Sequence, residues 1–181
     1  PMKWIGGGVT AAKGFRAAGI SAGIKRRRKP DLALVVADDR ASVAGVFTTN
    51  RVQAAPVVIS KARLQRGTAR AVLLNSGCAN CMTGAQGIDD ALILGREVAR
   101  LVGVAEQQVL LASTGLIGRR LPVVKIQRAI PALVRSLSRQ HHHEAARAML
   151  TTDCLSKEAA METIITGRHC RVGGMAKGAG M

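Results

Sequence analysis

The chain has 181 residues, and 48% of them are hydrophobic, which is enough for one domain with a sizeable core and too many for a disordered chain. No apolar run approaches the ~20 residues that a membrane-spanning helix needs, and no hydrophobic secretory signal is visible, so we expect a soluble, globular protein without a membrane partner. Lysine and arginine number 27 against 11 acidic residues, a formal net charge of +16 that favours anionic partners.

A basic nucleic-acid-binding module is the alternative function that this charge allows. Proteins that bind single strands stack bases on aromatic side chains. This chain has two Phe, one Trp and no Tyr, so we expect no nucleic acid. The basic stretch from Lys25 to Pro30 is interpreted as a solvated loop before a strand, although a targeting segment would have a similar composition.

Four short segments in the first half of the chain predict strands. They are residues 32–37, 42–48, 56–60 and 70–74, with a polar turn at residues 38–40 between the first two. Apolar strands without alternation are usually covered on both faces. We therefore predict an α/β fold in layers, with helices supplying the cover, and a single domain over residues 1–181.

The first long helix is predicted near residue 90. Asp89 or Asp90 can cap its beginning, and Gly103 can end it just after Val102. Its buried stripe would consist of four residues at helical spacing: Ala91, Leu94, Val98 and Leu101.

The remaining elements follow a strand at residues 109–112. Pro122 suits the first turn of a second helix, and Pro131 should bend or break that helix. A short helix and a hairpin complete the prediction, at residues 143–150 and at residues 161–166 with 170–175, the hairpin turning at Gly167 and Arg168.

Three segments could carry chemistry. Residues 113–115 (Ser-Thr-Gly) should lie where a strand ends and the chain turns, and their small size and hydroxyl groups could form an oxyanion hole. Residues 151–153 place two hydroxyls and a carboxylate after the short helix. Lys177 lies in a glycine-rich segment and could bind a substrate carboxylate. Each segment alone is also compatible with a plain turn, a polar helix end or a flexible tail.

The cysteines and histidines give weaker signals. Cys78 and Cys81 could form half of a zinc site or a redox pair, but no second C-x-x-C follows, which favours small buried side chains. The three histidines at residues 141–143 point in different directions on a helix, so we interpret them as a solvated helix start and expect no metal. No Ser-His-Asp arrangement is visible, so the sequence offers no obvious nucleophile.

Together these segments resemble the ornithine acetyltransferase family, also called the bifunctional glutamate N-acetyltransferases. The resemblance rests on VTAAKGFRAAGISAGIK, PDLALVVADD and AGVFTTNRVQAAPV, on NSGCANCMTGAQG and VLLASTGLIGRRLPVVKI, and on AARAMLTTD and VGGMAKGAGM. It covers about residues 9–181. The family's asparagine-rich loop is usually closer to NSGNANACTG, so Cys78, Cys81 and Met82 depart from its pattern.

The resemblance implies a fold and a mechanism. The family fold is a layered α/β sandwich that resembles N-terminal-nucleophile hydrolases but has a different topology. The family's precursor cleaves itself at a threonine, which becomes the first residue and the nucleophile of a separate β-chain. This chain would then be the α-chain of an enzyme of arginine biosynthesis, and the nucleophile would lie outside it. That threonine takes an acetyl group from N-acetylornithine and passes it to glutamate through an acetyl-enzyme.

Residue roles and partners are implied as well. Thr114 and Gly115 would stabilise the oxyanion, and Thr151, with Thr152 beside it, and Lys177 would bind substrate. No cofactor is implied, although some members use acetyl-CoA as a donor. The expected partner is the β-chain, in a cytoplasmic α2β2 or larger assembly. A related self-cleaving peptidase is a closer alternative than the nucleic-acid-binding module, but the STG and TTD segments together favour the acetyltransferase.

Overall fold

The computed structural model describes residues 2–26 and 29–178 and contains two β-sheets. The smaller sheet is antiparallel in the order β1-β6-β7, with β1 at Lys3–Trp4, β6 at Lys157–Ile165 and β7 at Arg168–Ala176. The larger sheet has the order β2-β3-β4-β5, with β2 at Phe15–Ile20, β3 at Leu32–Ser42, β4 at Thr68–Cys78 and β5 at Val109–Leu116.

Four helices are assigned in the described ranges, and they cover the larger sheet on both faces. They are α1 (Ala55–Leu64), α2 (Gly84–Val102), α3 (Val123–Arg135) and α4 (His142–Ala148). Strands β2, β3 and β4 pair antiparallel, whereas β5 pairs parallel to β4. A parallel pair needs a crossover, and α2 supplies it between β4 and β5.

The main core lies between the larger sheet and helices α1, α2 and α3. Fully buried side chains from β3 and α3, among them Leu32, Leu34 and Ile126, meet there. A second, smaller core on the opposite face joins β2 and β3 to α4 through Ala17, Ala33 and Ala145. The fold is therefore a mixed α/β structure in layers, as predicted from its apolar strands. Within the described residues, no helix has both the length and the hydropathy that a membrane crossing requires.

The predicted strand at residues 56–60 is wrong, because this segment forms the first turns of α1. Pro56 occupies an early helical position, where its missing N–H removes no helix hydrogen bond. Ser60 exchanges two hydrogen bonds of 2.8 Å with the main chain of Leu111. A short apolar run cannot distinguish strand from helix by itself, and packing against β5 selected the helix.

The predicted turn at residues 38–40 and the predicted strand at 42–48 are also wrong. Strand β3 continues to Ser42, with a register shift against β4 between Val36 and Ala41. Such a register shift allows a strand to continue past a group of polar residues. Residues 43–54 then contain neither helix nor strand, and part of this segment reaches the cleft described below.

Helix α2 ends as predicted but begins earlier. Gly103 is left-handed with φ 75°, which ends the helix after Val102. The beginning is at Gly84, so neither aspartate is the cap, and Asp90 lies inside the helix with 2% of its surface exposed. Of the predicted stripe, Ala91, Leu94 and Val98 are buried and Leu101 is partly buried against the core.

The elements of the second half are those predicted, but the predicted break at Pro131 is wrong and the hairpin turns one residue earlier than expected. Helix α3 begins directly after Pro122 and runs through Pro131 without a break, since Ile130 and Leu133 on either side of it are fully buried. Helix α4 lies within two residues of its predicted bounds. The hairpin of β6 and β7 turns at Thr166 and Gly167, whose φ angles of 49° and 76° suit a tight hairpin turn.

Candidate functional site

A cleft of about 480 Å³ opens at the end of the parallel pair β4 and β5. Four of the five predicted site residues line it, although they come from distant parts of the chain: Thr114, Gly115, Thr151 and Lys177. Residues 48–54, the beginning of α1 and the loop after β4 complete its lining, the last through Ala79 and Cys81. The structure thus brings the predicted oxyanion and substrate-binding segments together in one cavity.

The first side of the cleft, called the sheet wall here, consists of residues 113–115. They do not form the predicted turn, because β5 continues to Leu116 and pairs with β4. Gly115 has φ 131°, and a Cβ atom placed on it would lie 2.5 Å from the Gly77 carbonyl carbon. Both the backbone angle and the close approach of the two strands therefore require glycine here.

The pairing of the two strands is irregular at this point. Cys78 is in register with both Thr114 and Leu116, which marks a bulge at Gly77 and Cys78. Beyond it the loop stays attached, since Ala79 N donates to Leu116 O at 2.9 Å. Bulges interrupt the regular ladder and re-aim main-chain groups, and they are common beside active sites. Thr114 and Gly115 therefore line the cleft at an irregular point of the strand ladder.

A second part of the lining, called the loop wall here, consists of Thr151 after α4 and Lys177 after β7. Asp153 connects these two segments. Its carboxylate accepts hydrogen bonds from Lys157 Nζ at 2.8 Å and from Gly178 N at 2.7 Å. The bond from Lys157 and then the bond from Gly178 hold the pKa of Asp153 well below its usual range, so this link stays charged across the physiological pH range.

Lys177 is half-buried, and its ammonium donates to the carbonyl of Gly178 at 2.6 Å. That bond is local and exposed, so an anion in the cleft could compete for the ammonium group. Residues 179–181 of the glycine-rich segment lie outside the described residues. Thr152 does not line the cleft and is exposed, whereas its neighbour Thr151 is half-buried in the lining.

Lys25 also supports the loop wall, and no local pattern in the sequence indicated this contact. Its ammonium donates to Pro30 O at 2.8 Å and to Leu150 O at 2.5 Å, directly before Thr151. Burial of its side chain lowers the pKa of Lys25. The prediction of a fully solvated basic loop is therefore wrong at this residue, and residues 27 and 28 of that loop lie outside the described ranges.

Of the cysteines predicted to be small buried side chains, Cys78 is buried, whereas Cys81 is only half-buried. Cys78 is 2% exposed, and its sulfur lies 3.0 Å from the carbonyl of Arg119. Cys81 lines the cleft. Across residues 2–26 and 29–178, no group of three or more His, Cys, Asp or Glu side chains has an arrangement that could hold a metal ion.

The prediction of a solvated helix start at residues 141–143 is correct for its position and for the exposed His143, but wrong for His142, which is half-buried. Nδ1 of His142 and Nδ1 of His143 lie 2.7 Å and 2.8 Å from the carboxylate of Glu158 on β6. Burial alone would raise the pKa of Glu158, but the two histidine hydrogen bonds outweigh burial and lower it. The histidines thus fasten α4 to the hairpin, and only the packing of β6 against α4 reveals this.

A second depression, of about 510 Å³, lies near the smaller sheet and contains Lys13, Glu162 and Arg171. Arg171 Nε donates to Glu162 at 2.7 Å, which lowers the pKa of that carboxyl. Glu162 is paired with Arg171 and His169, and none of the predicted site residues lies in this depression. The cleft between the sheet wall and the loop wall is therefore the better candidate site.

Comparison with protein families and curated proteins gives consistent matches. The model of the ArgJ family matches residues 16–181. The arginine biosynthesis bifunctional protein ArgJ of Thermosynechococcus vestitus is 52% identical over 178 residues, which cover 98% of this chain and 42% of that protein. The chloroplastic protein of the same name from Sorghum bicolor is 50% identical, over 100% of this chain and 40% of that protein. The chain thus spans less than half the length of these relatives.

Two solved structures have the same fold. One is the ArgJ protein of Bacillus halodurans, with a TM-score of 0.94 and 38% identity over 100% of this chain and 95% of that chain. The other is ornithine acetyltransferase of Mycobacterium tuberculosis complexed with ornithine, with a TM-score of 0.94 and 41% identity over 100% of this chain and 97% of that chain.

Proposed function

Since the chain belongs to the ArgJ family, we propose that it is the α-chain of a glutamate N-acetyltransferase of arginine biosynthesis. The enzyme would move an acetyl group from N-acetylornithine to glutamate. The observation that carries the proposal is the cleft whose lining contains Thr114 and Gly115 together with Thr151 and Lys177. The structure of a similar protein in complex with ornithine supports an ornithine-type substrate.

The sheet wall is suited to stabilise an oxyanion. A nucleophilic threonine hydroxyl would attack the acetyl carbonyl of N-acetylornithine, and the carbonyl oxygen would become negatively charged. The Thr114 hydroxyl and the main-chain N–H at Gly115 would be the donors that stabilise that charge. When the tetrahedral intermediate collapses, ornithine leaves with a proton on its amine. The amine of glutamate then attacks the acetyl-enzyme and regenerates the threonine hydroxyl.

The loop wall is suited to hold the substrate. Lys177 would pair with the α-carboxylate that N-acetylornithine and glutamate share, and the Thr151 hydroxyl would add a hydrogen bond. One binding group can therefore serve both half-reactions, as a ping-pong mechanism requires. The net charge of +16 would draw the glutamate anion towards the protein.

The nucleophile would come from a β-chain produced when a single precursor cleaves itself. The chain covers 42% of a relative named as one protein, which leaves ample length for such a second chain. We expect assembly into α2β2 or larger units in the cytoplasm, with residues 1–181 forming one domain together with the β-chain. No cofactor is required for this transfer, and acetyl-CoA is a further possible donor, in line with the word bifunctional in the relatives' names.

Expression of the full-length precursor tests the proposal directly. Intact mass and N-terminal sequencing should find two chains, the second beginning with threonine. The purified complex should transfer acetyl from N-acetylornithine to glutamate. A single uncleaved chain without transfer activity would overturn the proposal. Of the alternatives, the basic nucleic-acid-binding module finds no support in the family or in the relatives' names.

Replacement of Thr114 tests the oxyanion assignment within the active complex. Thr114→Ala should lower kcat by ~10²–10³-fold, the usual cost of one oxyanion-hole donor. Thr114→Ser retains the hydroxyl and is the matched control, with kcat close to that of the unmodified protein. Unchanged turnover in Thr114→Ala would remove the residue from this role.

A further inference from the structure

The loop NSGCANCMTGAQG has no role in the mechanism proposed above, yet it contains two buried side-chain amides. Asn75 is 6% exposed and Asn80 is fully buried. Burial of an amide costs free energy unless its oxygen and nitrogen find hydrogen-bond partners. The hydrogen-bond partners of each amide therefore indicate which part of the structure it holds in place.

Asn75 lies at the end of β4 and joins that strand to the sheet wall. Its Oδ1 accepts a hydrogen bond from Ser113 Oγ at 2.5 Å, and its Nδ2 donates to Cys78 O at 2.9 Å. The first bond fastens β4 to β5 one residue before Thr114. The second closes the main chain across Gly77, the glycine of the bulge, which has φ 103°.

This bulge is the surface against which Gly115 packs. A Cβ at Gly115 would lie 2.5 Å from the carbon of Gly77 and 2.6 Å from the nitrogen of Cys78, so the two main chains touch without side chains between them. A change in the bulge would therefore move the main chain at Gly115 directly. Oxyanion donors need to be held in place before the reaction, and displacements of about 1 Å can cost ~10²-fold in rate.

We propose that Asn75 is a positioning residue for acetyl transfer. Its amide holds the bulge at Gly77 and Cys78 and the hydroxyl of Ser113, and through them it orients Thr114 and Gly115. The inference rests on the proposed function, since it assigns the amide to the same oxyanion site. The inference also assigns a positioning role to the first half of the asparagine-rich loop, for which the family resemblance implied no role.

Asn80 provides a matched comparison in the same loop. Its Nδ2 donates to Gly87 O at 2.8 Å, and its Oδ1 accepts from Thr83 Oγ1 at 2.8 Å. These partners belong to the start of α2 and not to the sheet wall. Asn80 is thus a buried amide of equal chemistry whose loss should weaken the fold without moving the oxyanion donors.

The test compares Asn75→Asp with Asn80→Asp in the full-length precursor. Each change keeps the side-chain shape, removes one N–H donor and sets a carboxylate oxygen against a carbonyl. Because both N–H donations are buried, both variants should lose thermal stability to a similar degree. Rates are divided by the concentration of cleaved chains, measured by intact mass, so that a defect in self-cleavage is not counted as slow acetyl transfer.

We expect Asn75→Asp to lower kcat by ~10–100-fold, less than the loss of a whole donor, with KM for N-acetylornithine and glutamate within about twofold. Asn80→Asp should retain kcat. If Asn75→Asp does not fold, Ser113→Ala replaces it, and a kcat fall of ~2–10-fold is expected from loss of one hydrogen bond.

Four results would decide against the inference. Unchanged kcat in Asn75→Asp, or equal kcat losses in both aspartate variants, would show that Asn75 acts only on stability while acetyl transfer itself stands. A change in KM alone would place Asn75 in substrate binding. Absence of acetyl transfer in the unmodified, cleaved protein would overturn the proposed function, and the positioning role with it.

Discussion

The two sides of the cleft are held by different kinds of interaction. The sheet wall is part of a parallel strand pair, and its neighbours Asn75 and Ser76 are buried. The loop wall follows α4 and β7 and depends on side-chain contacts from Asp153, Lys25 and Glu158. No residue of β7 is buried, whereas the first six residues of β3 are.

This difference indicates that the two walls have different functions in the reaction. A paired strand with main chains in contact cannot shift without breaking several hydrogen bonds, which suits a group that stabilises a transition state. Ion pairs and single hydrogen bonds at an exposed hairpin adapt more easily, which suits a group that must accept N-acetylornithine and then glutamate. Changes in the sheet wall should therefore act on kcat, and changes in the loop wall on KM.

Gly115→Ala should have the largest effect and would test the rigidity of the sheet wall. Its Cβ would meet the main chain of Gly77 at 2.5 Å, so both oxyanion donors must move. We expect kcat to fall by at least ~10²–10³-fold, with a loss of ~1–3 kcal/mol in the free energy of unfolding. Steady-state kinetics and chemical denaturation measure the two quantities.

Gly118→Ala is the control for that substitution. Gly118 also has a positive φ, of 76°, but a Cβ there would meet nothing within 4 Å. It should show a stability cost of ~1–2 kcal/mol with kcat unchanged. A comparable kcat loss in both variants would mean that backbone strain in general, and not contact with Gly77, limits the reaction.

Lys177→Met should have the next largest effect and would test whether the loop wall binds the substrate. Loss of a charge-assisted hydrogen bond is worth ~1.5–3 kcal/mol, so KM for both amino acids should rise by ~10–100-fold while kcat changes little. Lys125→Met on α3, away from the cleft lining, is the control for loss of one positive charge. A fall in kcat with unchanged KM would contradict the division between the walls.

Thr151→Val and Thr152→Val form a pair of neighbouring substitutions with different expected outcomes. Thr151 lines the cleft and Thr152 is exposed outside it. Loss of one neutral hydrogen bond should raise KM by ~2–10-fold in Thr151→Val, whereas Thr152→Val should leave KM unchanged. An equal rise of KM in both variants would show that Thr152 also contacts the substrate, in a loop conformation that differs when substrate is bound.

Glu158→Gln should have the smallest effect, because it weakens only the link between α4 and the hairpin. The pKa of Glu158 is lowered in the folded protein, so its contribution to stability is complete above the unfolded pKa of about 4.5 and disappears as pH falls through the folded value. The variant should lose no more than about 1 kcal/mol at pH 7.

Thermal denaturation from pH 7 to pH 3 measures this difference. The melting temperatures of Glu158→Gln and the unmodified protein should converge at the acid end, with kcat unchanged throughout. A difference that persists below the folded pKa would assign the effect to packing around the side chain and not to its charge.

The sequence by itself determined the local features of this protein. The apolar runs that start β3 and lie within β4, the end of α2 at Gly103 and the hairpin of β6 and β7 were all predicted. These features depend on short-range sterics and on glycine backbone freedom, which neighbouring residues decide. The motifs around Thr114 and Lys177 likewise identified the family and the residues now found in the cleft.

Only the tertiary structure decided how these local features combine. Residues 56–60 form a helix because β5 packs against Ser60, and residues 113–115 remain in a strand because β4 pairs beside them. The bulge, the buried amide of Asn75 and the cleft between Thr114 and Lys177 all depend on contacts between residues far apart in the chain. Such contacts form only when the whole core closes, so no local propensity could predict them.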